Sequence, residues 1–364
     1  MNHVDDVNHG IKELDDAVTA LDNGRASSDG PLKVLGDMTR RSCVRWLAAL
    51  VATIPLRLGS GLMALPSTDR SSEKPDGKPE AQPKVGIALG AGGAKGIAHI
   101  PMLEALDELG ITPHLIAGSS IGAVIGALYA SGLSALEIKD KVAHLAITKK
   151  DTFRGVLSDR KIGKWMEMVD ADFHHSGFLK TESIITGLYQ DASLSTFEEL
   201  AIPLRVVATD FWERRAVVLE SGPVQPAVQA SMALPGVFTP VQLDGRVLID
   251  GGTVNPVPFD LLAGSCDIVI AVDINSGSQT ETGTMPGYFD TIFGSVQILQ
   301  QAIVEREIRA RPPDIYVKPE LRGFRTLQFY KADEIYRQAQ PAKEELKRKL
   351  AEKLVSDSEH SSNL

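Results

Sequence analysis

Leu115-Ile116-Ala117-Gly118-Ser119-Ser120-Ile121-Gly122-Ala123-Val124-Ile125-Gly126-Ala127-Leu128-Tyr129-Ala130 reads as a strand running straight into a helix. Residues 115–117 are apolar, as in a buried strand, and residues 121–130 are small or apolar throughout, as in a buried helix. Gly126 and Ala127 give that helix a face that lies close on a sheet. Between the two segments, Gly118-Ser119-Ser120-Ile121-Gly122 matches a G-x-S-x-G pattern centred on Ser120. On a sharp strand-to-helix turn this pattern exposes a serine hydroxyl, and the dipole of the following helix stabilises an alkoxide there. Ser119 lacks glycines at the required offsets. A plainer role fits the same residues, in which Ser119 or Ser120 merely caps the helix.

The surroundings repeat the alternation. Val85–Leu89 is a short apolar strand ending in a glycine-rich loop, and Ile97–Leu109 has helical spacing that stops at Gly110. Further strands are expected at Leu204–Ala208, Val217–Leu219, Val247–Ile249 and Ile268–Val272. Strand and helix in alternation predict an α/β fold with a mainly parallel central sheet covered by helices. Ligands of such sheets bind beyond the carboxyl ends of the strands.

The chain has 364 residues, enough for one large domain with flanking segments or for two modest ones. Its net charge of −9 argues against a nucleic-acid partner. The two cysteines, Cys43 and Cys266, make neither a disulfide framework nor a zinc-binding spacing. Residues 1–37 are polar, with a short amphipathic pattern at Ile11, Leu14, Val18 and Leu21. Residues 38–66 combine Arg40, Arg41 and Arg45 with an apolar run from Trp46 to Leu56, too short for the roughly 20 residues of a bilayer span. Three readings stay open for 38–66: a twin-arginine-like export signal at 39–66, a helix in the membrane interface, or a helix packed on the domain of a cytoplasmic protein. Residues 67–84 hold three prolines and few apolar side chains, as a linker does. The main domain is expected over 85–320. A C-terminal helical segment and polar tail follow at 321–364, the charged helix pattern Lys331–Leu354 packing at the rim.

Two more loops carry possible chemistry. Gly90-Ala91-Gly92-Gly93-Ala94-Lys95-Gly96 lies between a strand and a helix. Its spacing does not fit a dinucleotide fingerprint, and no Ser or Thr follows a Gly-Lys pair as in a phosphate-binding loop. Amides that hold a developing oxyanion remain, as does a tight turn with no ligand. Asp250-Gly251-Gly252 follows an apolar strand and suits either a catalytic carboxylate or an ordinary turn. Asp210 and Asp273 also follow apolar strands and are the reserve acids. A serine hydrolase with the chain order Ser, acid, His needs a histidine after the acid. Only His360, in a polar tail, follows Asp250; His174 and His175 read as surface residues. A Ser120–Asp250 pair without histidine is the simplest site.

The ordered set of 90–96, 118–122 and 250–252 resembles the patatin-like phospholipases, including bacterial members related to neuropathy target esterase. Ala230-Ser231-Met232-Ala233-Leu234-Pro235-Gly236-Val237-Phe238-Thr239-Pro240 and Asn255-Pro256-Val257-Pro258 agree as well. The resemblance covers roughly 85–275 and departs at Ala91, where the family's first motif glycine usually stands. It implies a three-layer α/β/α fold, a Ser120–Asp250 dyad and hydrolysis of fatty-acyl esters. The oxyanion would be held by amides of Gly92 and Gly93 with those near Lys95. A lipid ester substrate, contact with a membrane surface and no cofactor, metal or calcium are the corresponding expectations. Leu234, Val237 and Phe238 are candidates for an acyl pocket or for plain core. A non-catalytic lipid-binding relative and a hydrolase of non-lipid acyl groups are the alternatives.

Overall fold

Val85-Gly86-Ile87-Ala88-Leu89 is apolar at every position because the strand it forms is buried on both faces. Residues 83–148, 189, 196–275, 285 and 287–361 are described by the structure, a computed structural model. Two compact units divide the chain, Met1–Gly77 and Lys78–Leu364, and all described residues belong to the second. The segments 1–37 and 38–66, the linker up to residue 82 and both His174 and His175 lie outside the described residues.

The strands are β1 (Val85–Leu89), β2 (Leu115–Ser119), β3 (Leu204–Asp210), β4 (Arg215–Leu219), β5 (Val241–Leu243), β6 (Arg246–Asp250), β7 (Ile268–Val272) and β8 (Ile315–Val317). The helices are α1 (His99–Glu108), α2 (Ile121–Ala130), α3 (Ala135–Thr148), α4 (Val224–Ser231), α5 (Tyr288–Ala310) and α6 (Ala332–Ser361). One eight-stranded sheet runs in the order β5-β6-β3-β2-β1-β7-β8, with β4 also paired to β3. The strands β3, β2, β1, β7 and β8 are parallel, while β4 and β6 are antiparallel to β3 and β5 is antiparallel to β6. Every strand expected from the sequence forms. The three-residue strands β5 and β8 and the helices α3, α4 and α5 are additions, the strands being too short to show a period of two.

Side chains alternate across a strand, so one strand feeds two cores. Val85, Ile87 and Leu89 join a cluster with residues of α1, α2 and α6. Ala88, Ala117 and Ala271 join another with Phe259, Leu262 and Val304 of α5. Helices therefore cover both faces, and the fold is three-layer α/β/α. Each large side chain buried in this way, such as Ile87 or Ile116, stabilises the fold by about 1.5–3 kcal/mol.

The C-terminal helix departs from its expected place at the rim. Ile335, Ala339, Ala342, Leu346 and Leu350 recur at three- and four-residue intervals and are buried in the main core. The helix rests on α1, where Lys343 bonds Glu104 at 3.1 Å and also pairs with Glu108. A narrow apolar stripe among many charges reads as a surface helix until its partner face is known.

The β3 pairings decide where the site lies. Val206–Asp210 of β3 pairs with β4 along one edge. The other edge is shared: Leu204–Val207 pairs with β2, and Ala208–Asp210 pairs with β6. Because β2 is parallel to β3 and β6 antiparallel, they meet end to end with their carboxyl termini facing. Ser119 lies opposite Val207 and Asp250 opposite Ala208, the next residue.

Candidate active site

Ser120 occupies the turn between β2 and α2 with φ 55° and ψ −124°. A non-glycine residue there stores about 1–3 kcal/mol of backbone strain, which the surrounding packing must hold. Its side chain makes no capping bond to α2, so the helix-cap role does not apply. Instead Ser120 Oγ donates to Asp250 Oδ2 at 2.5 Å. Its amide donates to Ser231 Oγ at 2.9 Å. Ser119 points elsewhere: its hydroxyl is fully buried, with no hydrogen-bond partner among the described residues.

The turn is tight because Gly122 lets it be. A Cβ at this position would lie 2.0 Å from the Leu89 carbonyl oxygen, which is backbone and cannot swing away. Gly122→Ala is therefore expected to destabilise the fold by about 3 kcal/mol, as overpacking against rigid backbone does. Chemical unfolding of the two proteins side by side measures this; equal midpoints would contradict the close approach.

Asp250 ends β6 and is 2% exposed. Its Oδ1 accepts the Gly252 amide at 2.8 Å. Its own backbone is pinned on both sides, the amide donating to the Ala233 carbonyl at 3.0 Å and the carbonyl accepting from Thr209 Oγ1 at 2.8 Å. Burial pushes the carboxyl pKa up to about 6, while the bonds from Ser120 and Gly252 pull the other way. A serine hydroxyl bonded to a carboxylate of raised pKa has a base in place to take its proton.

The reserve acids are committed elsewhere. Asp210 Oδ1 accepts the amides of Trp212 (3.0 Å) and Glu213 (2.9 Å) in the turn after β3. Asp273 accepts from Tyr316 (2.7 Å), from Lys318 (3.0 Å) and from the Asn275 amide (2.9 Å). Among the described residues no histidine bonds Ser120 or Asp250. His99 is fully buried and its Nε2–H donates to the Gly90 carbonyl at 2.8 Å. Burial lowers its pKa to about 4, which keeps it neutral at physiological pH.

The loop at 90–96 packs beside the serine turn, since Gly96 sits directly against Ile121. Gly90 and Ala91 use their amides on the carbonyls of Val272 (3.1 Å) and Pro256 (2.8 Å), and Ala94 uses its own on Thr326 (2.7 Å). Those of Gly92 and Gly93 have no partner among the described residues. Gly93 has φ +58°, the left-handed conformation that glycine adopts without strain. The Ala91 departure thus falls on a residue whose amide is already held. Lys95 is buried, not solvated; desolvation lowers its pKa and nearby Asp273 opposes that shift. Its side chain belongs with the Asp273 and Lys318 charges. Val237 and Phe238 are buried, and Leu234 is half-buried.

Ser231 is the residue that sequence reasoning passed over. It lies in the 230–240 segment, but nothing there signals that its hydroxyl accepts a hydrogen bond from the Ser120 amide, 111 residues away. Ser231→Ala leaves that amide without its acceptor, a loss of about 1–3 kcal/mol. The expected result is a drop in kcat of about tenfold or more at nearly constant KM. Steady-state kinetics on a soluble ester reads the two constants separately.

Among the described residues no cluster of His, Cys, Asp and Glu is arranged to hold a metal, and no helix is long and apolar enough to cross a membrane.

Comparison with known proteins gives the same region. A patatin-like phospholipase family model matches residues 87–263. An uncharacterized NTE family protein of Mycobacterium tuberculosis is 38% identical over 200 residues, covering 55% of this chain and 51% of that one. Lysophospholipase nte1 of Aspergillus fumigatus is 30% identical over 278 residues, covering 69% of this chain and 17% of that one. Patatin-like phospholipase domain-containing protein 6 of the mouse is 30% identical over 280 residues, 69% of this chain and 20% of that protein. The chain thus spans about half the length of the mycobacterial relative and a fifth or less of the fungal and mouse ones. Among solved structures, VipD from Legionella pneumophila aligns with a TM-score of 0.41 at 13% identity, covering 74% of this chain and 67% of that one. Through residues 87–263, which hold both Ser120 and Asp250, the chain belongs to the patatin-like phospholipase family and is related to the NTE family proteins.

Proposed function

We propose that the chain is a serine acyl hydrolase that cleaves fatty-acyl esters of phospholipids or lysophospholipids through Ser120 and Asp250. The 2.5 Å bond from Ser120 Oγ to Asp250 Oδ2 carries the reading. Relatives named lysophospholipase support the choice of substrate.

In the first step Ser120 Oγ attacks the ester carbonyl carbon and its proton passes to Asp250 Oδ2. The carbonyl oxygen gains negative charge, which the amides of Gly92 and Gly93 stabilise. Collapse of this intermediate breaks the bond to the alcohol, which leaves with the proton from Asp250. Water then attacks the acyl-enzyme and gives its proton to Asp250. The fatty acid departs as the proton returns to Ser120 Oγ. Lys95 supports the oxyanion loop from its buried position beside the Asp273 and Lys318 charges.

A carboxyl of pKa about 6 is ionised at neutral pH, yet is a stronger base than an ordinary aspartate. Activity is therefore expected to rise with pH and reach half its plateau near pH 6 in kcat/KM for a soluble ester. A profile still flat at pH 5 would reject Asp250 as the base. The function itself is tested by incubating the full chain with phospholipid, lysophospholipid and acylglycerol and identifying products by mass spectrometry. A fluorophosphonate should add to Ser120. Free fatty acid in none of the three incubations, with no adduct formed, would favour a non-catalytic lipid binder.

A further inference from the structure

Turns between antiparallel strands are normally built from Gly, Asn, Asp and Pro. The turn joining β3 to β4 is Phe211-Trp212-Glu213-Arg214 instead. Phe211 is 48% exposed and Trp212 74%. Their rings meet edge to face with centroids 4.9 Å apart. The backbone beneath them is fixed: Asp210 Oδ1 accepts two amides of the turn, its carbonyl accepts from Arg214 at 2.9 Å, and Phe211 donates to Val247 at 2.9 Å. An ordered turn that holds two aromatic rings side by side leaves a compact apolar surface available for contact.

We propose that this tip is a lipid-contacting surface that seats the site against a membrane interface. The assignment rests on the acyl-ester reading above. Position supports it. Asp250 lies opposite Ala208, and Phe211 is three residues further along the same strand direction. At ~3.3 Å per residue the aromatic pair projects roughly 10 Å beyond the level of Asp250, on the end of the sheet where Ser120 also lies. Chemistry supports it too. Tryptophan, apolar in body with one polar N–H, concentrates at membrane–water interfaces. Size argues against a protein partner, because two side chains are far from the area of roughly 1,200 Å² that a specific protein interface buries.

Charge gives the tip a sign. Glu213 pairs with Arg215, and Asp210 is occupied by amides with Arg246 at 3.9 Å. Arg214 is exposed and in no ion pair among the described residues, so the hairpin offers phosphate headgroups a cation although the whole chain carries −9. Asp244, exposed on the adjoining turn between β5 and β6, opposes it. The aromatic pair therefore supplies the affinity, and charge adds only a modest preference for anionic lipid.

Sedimentation of the full chain with vesicles of phosphatidylcholine and phosphatidylglycerol tests the assignment, alongside kinetics on a short-chain ester below its aggregation limit. The double variant Phe211→Ser, Trp212→Ser should partition onto vesicles about tenfold less or worse, with unchanged kcat/KM on the soluble ester. Trp212→Tyr, which keeps an interfacial ring, should retain most binding. Undiminished vesicle binding by the double variant overturns the proposal and places any lipid contact elsewhere. Equal loss with tyrosine and serine also overturns it, since a shape-specific contact would then be at work. Wild-type chain that sediments and loses binding in the double variant, yet hydrolyses no ester, refutes the hydrolase reading and leaves the surface standing.

Discussion

Ser120→Ala is expected to abolish ester hydrolysis, lowering kcat by about a million-fold, the scale of removing the nucleophile from a serine hydrolase. The chemistry has no substitute: Ser119 Oγ, one residue away, is fully buried and points from the end of β2 towards Gly251. Ser119→Ala should therefore change kcat less than about twofold, since it removes no partnered group. The substitution at Ser120 also takes a donor from Asp250, whose Oδ2 then faces the site without its 2.5 Å bond. An intact protein mass after fluorophosphonate treatment distinguishes the two serines. An adduct that persists in Ser120→Ala would move the nucleophile and end the proposed mechanism.

Asp250→Asn carries the second large effect, and it has opposite signs in activity and stability. An amide does not accept the serine proton, so kcat should fall about ten-thousand-fold, the scale seen when the acid of a serine site becomes an amide. Stability should rise at neutral pH. The folded carboxyl titrates at about 6 against an ordinary 3.8, so the native state holds its proton more tightly than the unfolded chain does. The stability this contributes is fully present below pH 3.8 and is lost as pH rises through about 6. Keeping the carboxylate ionised in its buried position therefore costs roughly 3 kcal/mol near pH 7. Asparagine removes that charge while its Oδ1 still accepts the Gly252 amide. The variant should be more stable than wild type by about 1–3 kcal/mol at pH 7.5, with the difference closing near pH 4. Denaturant unfolding at the two pH values checks both halves. A variant less stable at pH 7.5 would mean that the carboxylate is held by more than these two bonds.

Much of the fold was legible locally. The buried strand Val85–Leu89 and the small-residue helix Ile121–Ala130 need only apolar runs and glycine stops to be recognised. The C-terminal helix was recognised as a helix but not as core, because the stripe from Ile335 to Leu350 takes its meaning from α1, over two hundred residues earlier. Lys95 was legible only as a member of the glycine-rich loop. Its burial beside Asp273 comes from the tertiary structure, since a lysine's surroundings are not written next to it in the chain.

The sequence by itself determined the strand-to-helix turn at Ser120, the glycines that permit it and a short list of acids at strand ends. Each of these depends on the backbone preferences of neighbouring residues, which act within a few positions. Only the tertiary structure decided which acid meets the serine. Asp210, Asp250 and Asp273 all end or follow apolar strands, and the choice falls to Asp250 because β2 and β6 share one edge of β3 from opposite directions. That edge brings residues 130 apart within one hydrogen bond. It also places Ser231 behind the Ser120 amide and the Phe211–Trp212 tip ahead of the site, relations set by strand pairing rather than by any local pattern.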